Sequence, residues 1–260
     1  MNEALNIKYL LDFCQEQEDL TVSLLREKLE AGPADIVRGN LHPDIECNVT
    51  LLHGVCYNPR VTLGVVRYLV EIYPEAVRVR TKYDWLPLHR ACNNAACPDD
   101  VIEYLVDLYP DALGVSWPPR GLPLHCLLVR QTSNKFEMTI GKTTEKVLYE
   151  LNLDLVKRLV EVCPEALTNQ DNDSNMTPLL CACEREDLSM DLVRLLVDPD
   201  LSVIRLRGGY GESRDLPLEV LMDRNHSTNE KEWHAPFEVV RFFIESAPAT
   251  ITPSLMVEIC

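Results

Sequence analysis

Apolar side chains recur at helical spacing in several separate segments of this chain. Two of these segments lie 36 residues apart and match position for position. Their apolar sets are Val65, Val66, Leu69, Val70 and Tyr73 in the first, and Val101, Ile102, Leu105, Val106 and Tyr109 in the second. Because residues three and four apart share one face of a helix, each segment predicts an amphipathic helix. A proline follows each tyrosine and predicts the helix end, since proline cannot continue the hydrogen-bond ladder.

A four-residue phrase before each of these segments predicts a second, shorter helix. It reads TLLH at 50–53, LPLH at 86–89, LPLH at 122–125, TPLL at 177–180 and LPLE at 216–219. Its proline suits the first position of a helix, where the missing N–H would have no partner anyway. The first three histidines are 36 residues apart, and a fixed period of this size indicates a stacked repeat of helix pairs.

The repeat predicts the organisation of the whole chain. We expect a capping helix pair over residues 1–40 and about five repeats over 41–252. Residues 253–260 form either a C-terminal cap or a truncated repeat. The third and fifth repeats carry extra residues between their two helices, which we place near 131–152 and 224–236. The fourth repeat lacks the Tyr-Pro ending, so its helix end is expected to be shortened.

The helix pair opened by T/L-P-L-H-x-A-C resembles the ankyrin repeat. The best matches are HRAC at 89–92 and HGVC at 53–56. The resemblance covers about residues 41–252 and implies an all-α, ankyrin-like helical solenoid with short hairpin fingers. It also implies that members commonly bind other proteins through these fingers and the adjoining short helices. The period departs from the family value, being 36 instead of 33.

The turn before each short helix also departs from the family pattern. The glycine usual five positions before the histidine is replaced by Asn48, Asp84, Arg120, Asn175 or Arg214. Asparagine and aspartate tolerate the left-handed backbone conformation, so three of these turns are expected to keep the family geometry. Arg120 is followed by Gly121, and this glycine would relieve the backbone strain of the turn there.

Composition and charge narrow the classes of function. The chain has 260 residues, of which 46% are hydrophobic, and a formal net charge of −16. This composition is that of a folded protein, and the negative field disfavours nucleic acid as a partner. No apolar run is long enough to span a membrane. The first residues lack a secretory pattern, so the ten cysteines indicate a reducing, intracellular compartment, cytoplasmic or nuclear.

Histidine and cysteine recur together in a way that raises the question of a metal site. His53 and Cys56, and likewise His89 and Cys92, are three residues apart and share a helical face. A zinc site needs four converging ligands, whereas the period separates these pairs by a whole repeat. The resemblance implies a structural role instead, with each histidine, including His125, bonded to the turn before its helix. We therefore predict no metal site.

Three other motifs fall short of a site. Residues 140–144 (IGKTT) end like a phosphate-binding loop, but the required earlier glycine is Phe136. Residues 171–175 (DNDSN) begin like a calcium loop, but Met176 and Ala182 stand where Gly and Glu are required. His226, Trp233 and His234 with Glu230 and Glu232 read as a solvated loop. No set of nucleophile, base and orienting group can be assembled from the sequence spacing. We therefore predict no catalytic residues, no cofactor and no enzyme activity.

The predicted fingers contain the side chains best suited to binding. Tryptophan, tyrosine and arginine are the most frequent hot spots of protein interfaces. The finger residues of this kind that we assign to a partner are Tyr83, Trp85, Trp117, Arg120, Arg207 and Tyr210. The alternative for Trp85 and Trp117 is that they pack beneath neighbouring fingers. The predicted function is a non-catalytic scaffold for another protein, and the charge of −16 favours a partner with basic patches, although acidity also serves solubility.

Two further readings remain open. In one, the chain is an adaptor or complex subunit that binds mainly through the 131–152 insertion, and the repeats only carry it. In the other, the rejected clusters converge in space to form a metal- or nucleotide-binding enzyme.

One position of the longer helices is acidic in every repeat and is interpreted as part of a solvated face. The residues at this position are Glu71, Asp107, Glu161, Asp198 and Glu245. A basic residue one turn earlier predicts a weak ion pair in four repeats, at Arg67, Lys157, Arg194 and Arg241.

Overall fold

The computed structural model describes residues 3–30, 48–118, 120–130, 137–140, 143–146, 151–209, 214–226 and 235–247. The fold of these residues is helical, as the sequence predicted. The α-helices are α1 (Glu3–Glu16), α2 (Val22–Glu30), α3 (Leu51–Tyr57), α4 (Leu63–Ile72), α5 (Pro87–Asn93), α6 (Asp99–Leu108), α7 (Pro123–Leu128), α8 (Leu153–Val162), α9 (Pro178–Cys183), α10 (Met190–Val197), α11 (Pro217–His226) and α12 (Phe237–Ser246). None of them is long and apolar enough to cross a lipid bilayer.

A short β-hairpin is the exception to the helical fold. Strands β1 (Glu137–Ile140) and β2 (Thr143–Lys146) pair antiparallel, with Glu137 opposite Lys146 and Ile140 opposite Thr143. The hairpin lies within the 131–152 insertion, for which the sequence analysis predicted a loop. The two residues between the strands, 141 and 142, lie outside the described part of the chain, as does residue 119.

The helix starts are those that the four-residue phrase predicts. Proline occupies the first position of α5, α7, α9 and α11. In α9 the Thr177 hydroxyl caps the helix by accepting a hydrogen bond from the Leu180 N–H, at 3.3 Å. In α5, Leu86 offers no side-chain cap, and the His89 Nδ1 atom accepts from the Leu86 N–H instead, at 3.1 Å. A histidine or a hydroxyl thus satisfies backbone donors at three of these helix starts, and at α11 the Glu219 Oε2 atom accepts from the Leu216 N–H at 2.7 Å.

The Tyr-Pro-Glu/Asp-Ala motif does more than end a helix. After α4 and α6 its proline begins a 3-10 helix, over Pro74–Arg78 and Pro110–Gly114, and after α8 the related Cys-Pro-Glu-Ala does the same over Pro164–Thr168. Two central apolar residues of each are buried, for example Ala76 and Val77. The fourth repeat keeps this feature at Leu201–Arg205, where Asp200 caps the turn. The predicted shortening is confirmed in α10 itself, which has 8 residues where α4, α6 and α8 have 10, and an aspartate cap replaces the tyrosine and proline before the 3-10 helix.

The helices belong to two compact units. In the first unit, α1, α3 and α5 pack side by side as one row, and α2, α4 and α6 form a second row. The rows meet where α3 contacts α4 and α5 contacts α6. The apolar faces predicted from the sequence lie between the rows, since Val65, Val66 and Leu69 are buried. The N-terminal pair predicted for residues 1–40 corresponds to α1 and α2, and residues 31–47 lie outside the described chain.

The second unit repeats this arrangement with its own helices. There α7, α9 and α11 form one row, and α8, α10 and α12 form the other. Its core includes Leu155, Val156 and Leu159 of α8, which fill the same slots as the apolar residues of α4. Residues 227–234 of the predicted 224–236 insertion lie outside the described chain. So do residues 248–260, which include the predicted C-terminal cap or truncated repeat.

The recurring histidines tie each short helix to the loop that follows its repeat. The Nδ1 atom of each ring accepts from a backbone N–H at the start of its own helix, so Nε2 carries the proton and donates. His53 Nε2 lies 3.1 Å from the Trp85 carbonyl oxygen, and His89 Nε2 lies 2.9 Å from that of Val115. His125 Nε2 lies 3.1 Å from both the Asn169 and Met176 oxygens. The Nδ1 bonds are those to the turn before the helix that the resemblance implied, whereas the Nε2 bonds to the loop after the repeat were not predicted.

A second set of hydrogen bonds links the opposite ends of the short helices. Its donors stand five residues after the histidine slot, at Asn58, Asn94 and Arg185. The Asn94 amide donates to the Cys56 and Asn58 oxygens, at 3.1 and 2.9 Å, and so reaches the end of α3. In the second unit, Arg185 Nη1 donates to the Leu128 and Arg130 oxygens at the end of α7, at 2.7 and 2.9 Å. Carbonyls that a helix end leaves unpaired are thereby satisfied by the next repeat.

Candidate functional site

The loop between the first 3-10 helix and α5 is a tight turn built around Thr81. The Thr81 N–H donates to the Trp85 carbonyl oxygen at 2.9 Å, and the Thr81 hydroxyl accepts from the Tyr83 and Trp85 N–H groups at 3.3 and 3.1 Å. Asp84 adopts a φ of 62°, the left-handed conformation expected for its position. Asn48 and Asn175 do the same, at 52° and 54°, which confirms the prediction for all three turns. The loop is thus held in one conformation by its own backbone.

His53 fixes this turn to the preceding repeat. Its Nε2 donates to the Trp85 carbonyl oxygen, which also accepts from the Thr81 N–H. Burial lowers the pKa of His53 to about 4, opposed by this hydrogen bond and assisted by the nearby charge of Arg90. The ring is therefore neutral at pH 7, as its acceptor and donor roles require. A rigid turn presents its side chains with little entropy left to lose.

Trp85 lies over a buried tryptophan. The Trp85 and Trp117 ring centroids are 4.4 Å apart with the planes at 68°, an edge-to-face contact. Trp117 is 7% exposed and also packs at its edge against His89. Its burial fits the alternative in which this tryptophan supports a neighbouring loop. Trp85 is half-buried, and its indole Nε1 has no hydrogen-bond acceptor among the described residues.

Arg90 of α5 is stacked on two aromatic rings. Its guanidinium carbon lies 3.5 Å from the Trp85 ring centroid and 5.0 Å from that of Tyr57, the last residue of α3. Contacts of this kind with a partly desolvated ring are attractive and orient the planar guanidinium. Burial lowers the pKa of Arg90 to about 10, partly offset by Tyr57 and Cys56, so the side chain stays charged at pH 7.

Two tyrosines flank this arginine at the surface. Tyr57 is 50% exposed and Tyr83 is 55% exposed. The Tyr83 and Trp85 ring centroids are 6.4 Å apart, and the Lys82 ammonium lies 5.1 Å from the Tyr83 ring. We call the surface formed by Tyr57, Tyr83, Trp85 and Arg90 the Arg90 patch. It lies entirely in the first unit, on a turn and two short helices that are held by hydrogen bonds.

The structure brings together only some of the residues predicted to bind a partner. Tyr83 and Trp85 belong to the Arg90 patch, and Trp117 lies beneath it. Arg120 is exposed in the second unit, next to Gly121, whose φ is 78°. Arg207 is also in the second unit, where it forms an ion pair with Glu219 at 2.8 Å and donates to the Arg214 oxygen. Tyr210 lies outside the described residues.

Sequence reasoning missed Tyr57 and Arg90. A signal for Arg90 was available, because the same repeat slot holds Gly54 and Cys126 in the neighbouring units. An arginine in a slot otherwise filled by small residues departs from the repeat's own pattern. Tyr57 gave no comparable signal, since its next counterpart is Asn93 and only the packing of α3 on α5 brings it to Arg90.

Within the described residues, the fold does not assemble a metal or catalytic site from the motifs rejected above. No three His, Cys, Asp or Glu side chains come together to hold a metal ion in the part of the chain described. Asp171 Oδ1 accepts from the Asp173 and Ser174 N–H groups, at 3.2 and 2.7 Å, so the segment that begins like a calcium loop is a polar turn. The predicted loop cluster at 230–234 lies outside the described residues, as does the side chain of His226.

The acidic slot of the longer helices is exposed in both units. Two of the predicted ion pairs are present, Lys157–Glu161 at 3.9 Å and Arg241–Glu245 at 2.7 Å. Arg67 instead lies over the Tyr104 ring of the next repeat, at 5.3 Å. The Lys157–Glu161 and Arg241–Glu245 ion pairs are exposed and contribute little to stability.

A shallow groove of about 510 Å³ runs between α8 and α10, with Val160 and Leu195 in its lining and four carboxylates around them.

No protein-family model matches this chain, and no curated protein matches its sequence.

Proposed function

We propose that this chain is a non-catalytic module that binds another protein, built from stacked ankyrin-like helix pairs as its repeats suggest. The observation that carries the proposal is the Arg90 patch. Aromatic side chains and arginine are the usual anchors of protein interfaces, and here Tyr57 and Tyr83 are half exposed on a turn held by His53 and Thr81. A surface that is already ordered loses little entropy on binding.

The packing supports a scaffold in which short helices present a binding face. The short helices α3 and α5 lie in one row of the first unit, and α7 and α9 lie in one row of the second. Hydrogen bonds from histidines and from Asn58, Asn94 or Arg185 join one repeat to the next. Repeats that contact only their neighbours in this way suit the extended surfaces of repeat proteins. The eight described cysteines are buried and form no disulfide with one another, which supports the proposed intracellular setting.

The test is partner capture from cell extract with the intact chain and a Tyr57→Ala, Tyr83→Ala double variant. Both side chains are about half exposed, so their removal should leave the unfolding temperature close to that of the wild type. Tyr9→Ala is the control, because Tyr9 is 56% exposed on α1 and is not one of the residues of the patch. Partners lost with the double variant but kept by Tyr9→Ala are the expected result.

A second candidate function rests on the β-hairpin in the 131–152 insertion. A hairpin that interrupts a helix pair is a feature that stacking alone does not require, and loops of this kind frequently carry binding residues. If deletion of residues 133–150 removes the partners while the double variant keeps them, the chain is an adaptor that binds through this insertion. If neither change alters the partners, a basic partner on the acidic groove between α8 and α10 becomes the leading account.

A further inference from the structure

We propose that Arg90 binds a carboxylate of the partner protein through its two terminal nitrogens. The inference rests on the proposed function and names the chemistry of the group that the Arg90 patch recognises. Arginine presents N–H donors in a planar fork that matches the two oxygens of a carboxylate. The patch would then take an Asp or Glu side chain, or a free C-terminus, on an extended segment of the partner.

The hydrogen-bonding state of Arg90 is the first support. Its Nε atom is buried against the rings and has no acceptor among the described residues. In the described chain, Nη1 and Nη2 are not enclosed, have no hydrogen-bond acceptor and form no ion pair. With Nε covered, the end-on pair of Nη1 and Nη2 is the edge open to a ligand.

Several other arginines of this chain form ion pairs with carboxylates. Arg185 pairs with Asp187 at 2.7 Å, Arg207 with Glu219 at 2.8 Å and Arg241 with Glu245 at 2.7 Å. Among the described residues, no carboxylate forms an ion pair with Arg90, although the chain contains 41 acidic residues. A partly buried cation with open donors is poorly satisfied by the protein alone, so an external carboxylate complements it.

The stacking on two rings prepares the guanidinium for this ligand. Because Trp85 and Tyr57 both contact it, the plane of the fork is restricted before the ligand arrives. Single contacts of an arginine with a tyrosine also occur elsewhere in this unit, such as Arg67 over Tyr104 at 5.3 Å. Arg90 differs from Arg67 in its second ring and its deeper burial, since Arg67 is exposed.

Local charge agrees with an acidic ligand even though the whole chain is acidic. Residues 78–90 contain four cations, Arg78, Arg80, Lys82 and Arg90, against the single acid Asp84, which gives a net charge of +3. Charges separated by more than about 8 Å are largely screened at physiological ionic strength. The positive net charge near Arg90, rather than the total charge of the chain, therefore determines which ligand charge is attracted there. The basic partner favoured by the total charge of −16 would have to bind elsewhere.

The first experiment selects ligands from a phage-displayed library of random twelve-residue peptides, with the intact chain as bait. Parallel selections use Arg90→Lys, which keeps the charge but not the fork, and Arg67→Lys as the matched control. We expect the peptides lost with Arg90→Lys to carry Asp or Glu at one fixed position, and Arg67→Lys to select the same set as the wild type. Selection of one common set by all three baits would overturn the inference, and so would failure of the wild type to enrich any peptide.

The second experiment is a double-mutant cycle on one selected peptide, made as a capped synthetic peptide. Replacing its fixed Glu by Gln should weaken binding to the wild type by about tenfold or more, the usual size of a charge-assisted pair, and should change binding to Arg90→Met only slightly. Equal losses with both proteins would mean that Arg90 does not contact the carboxylate. Analogues with phosphoserine at this position, or ending there in a free carboxylate, distinguish the sources of the anionic group.

The two proposals fail in different ways. If partner capture is lost with Tyr57→Ala, Tyr83→Ala but unchanged with Arg90→Lys, the patch binds protein without a carboxylate contact. If capture is unchanged with both variants, the proposed function of the patch itself is wrong. Unfolding temperatures of Arg90→Lys and Arg67→Lys measured beside the wild type show whether the fold is intact in each comparison.

Discussion

His89 Nε2 lies 2.9 Å from the Val115 carbonyl oxygen, and this bond joins α5 to the loop after the next helix. The same ring accepts from the Leu86 N–H, so both of its nitrogens are used. Because the ring is fully buried, no water replaces either partner when the ring is removed. The histidine of this repeat is therefore a structural link between backbone segments that are distant in sequence.

Replacing His89 with Leu should lower the free energy of unfolding by about 2–4 kcal/mol. Leucine fills much of the volume but leaves the Leu86 N–H and the Val115 oxygen without partners. His89→Gln should lose less, since its amide has both a donor and an acceptor. Urea unfolding followed by circular dichroism measures both variants. Equal stability of His89→Leu and the wild type would contradict the structural role.

Stability should fall as the pH drops from about 6.5 towards 4. Burial lowers the pKa of His53 and of His89 to about 4, whereas both titrate near 6.5 when unfolded. Below pH 6.5 the unfolded chain therefore binds protons that the folded chain does not, and protonation favours unfolding. At pH 5 this linkage costs about 2 kcal/mol for each histidine.

Urea unfolding at a series of pH values between 7.5 and 4.5 tests this linkage. The His89→Leu variant has one buried histidine fewer, so its stability should fall less steeply over this range than that of the wild type. Carboxylates titrate in both proteins and cancel in the comparison. Parallel pH profiles for the two proteins would show that His89 does not titrate in this way.

Asn94→Asp should be strongly destabilising although the two side chains have the same shape. The Asn94 amide donates to the carbonyl oxygens of Cys56 and Asn58, and an ionised carboxylate would face both oxygens without a proton to donate. Since Asn94 is buried, we expect a loss of about 3 kcal/mol or more at pH 7. Asn169→Asp is the exposed control, expected to change stability by less than about 0.5 kcal/mol. Similar losses for both would argue against the inter-repeat link.

Asp84→Gly should leave stability unchanged or raise it by up to about 1 kcal/mol, whereas Asp84→Val should lower it by about 1–2 kcal/mol. Glycine adopts the φ of 62° found at Asp84 without steric cost, whereas a β-branched residue is strained in this conformation. The ion pair of Asp84 with Arg80 is 3.9 Å long and exposed, so its loss costs little. Thermal unfolding of the two variants provides the measurement, and a valine variant as stable as the wild type would refute the turn geometry.

Gly208→Ala should be much more damaging than Gly114→Ala. A Cβ atom at Gly208 would collide with the carbonyl oxygen of Asn175 and with the Leu180 side chain, whereas one at Gly114 meets nothing within 4 Å. Relief of the collision requires backbone movement, so we expect a loss above about 2 kcal/mol at Gly208 and less than about 0.5 kcal/mol at Gly114. Chemical denaturation of both variants decides the point. Equal effects would show that the two backbones do not approach closely at Gly208.

The sequence by itself determined the local features of this protein. The starts of α5, α7, α9 and α11 follow from proline at a helix's first position, and the left-handed turns follow from the properties of Asn and Asp. Apolar spacing along each longer helix identified its buried face, as Val65 and Leu69 show. These features depend on interactions between residues within about one helical turn of each other. Local interactions of this kind can be predicted from the sequence, and the repeated pattern shows them several times.

Only the tertiary structure decided which side chains meet across repeats. Tyr57 and Arg90 are 33 residues apart, and the packing of α3 against α5 is what places the tyrosine ring at the guanidinium. Trp117 looked like a binding residue by composition, yet its position beneath Trp85 buries it. Burial and stacking depend on the relative placement of whole helices, and that placement results from many packed contacts summed over the core rather than from any local pattern.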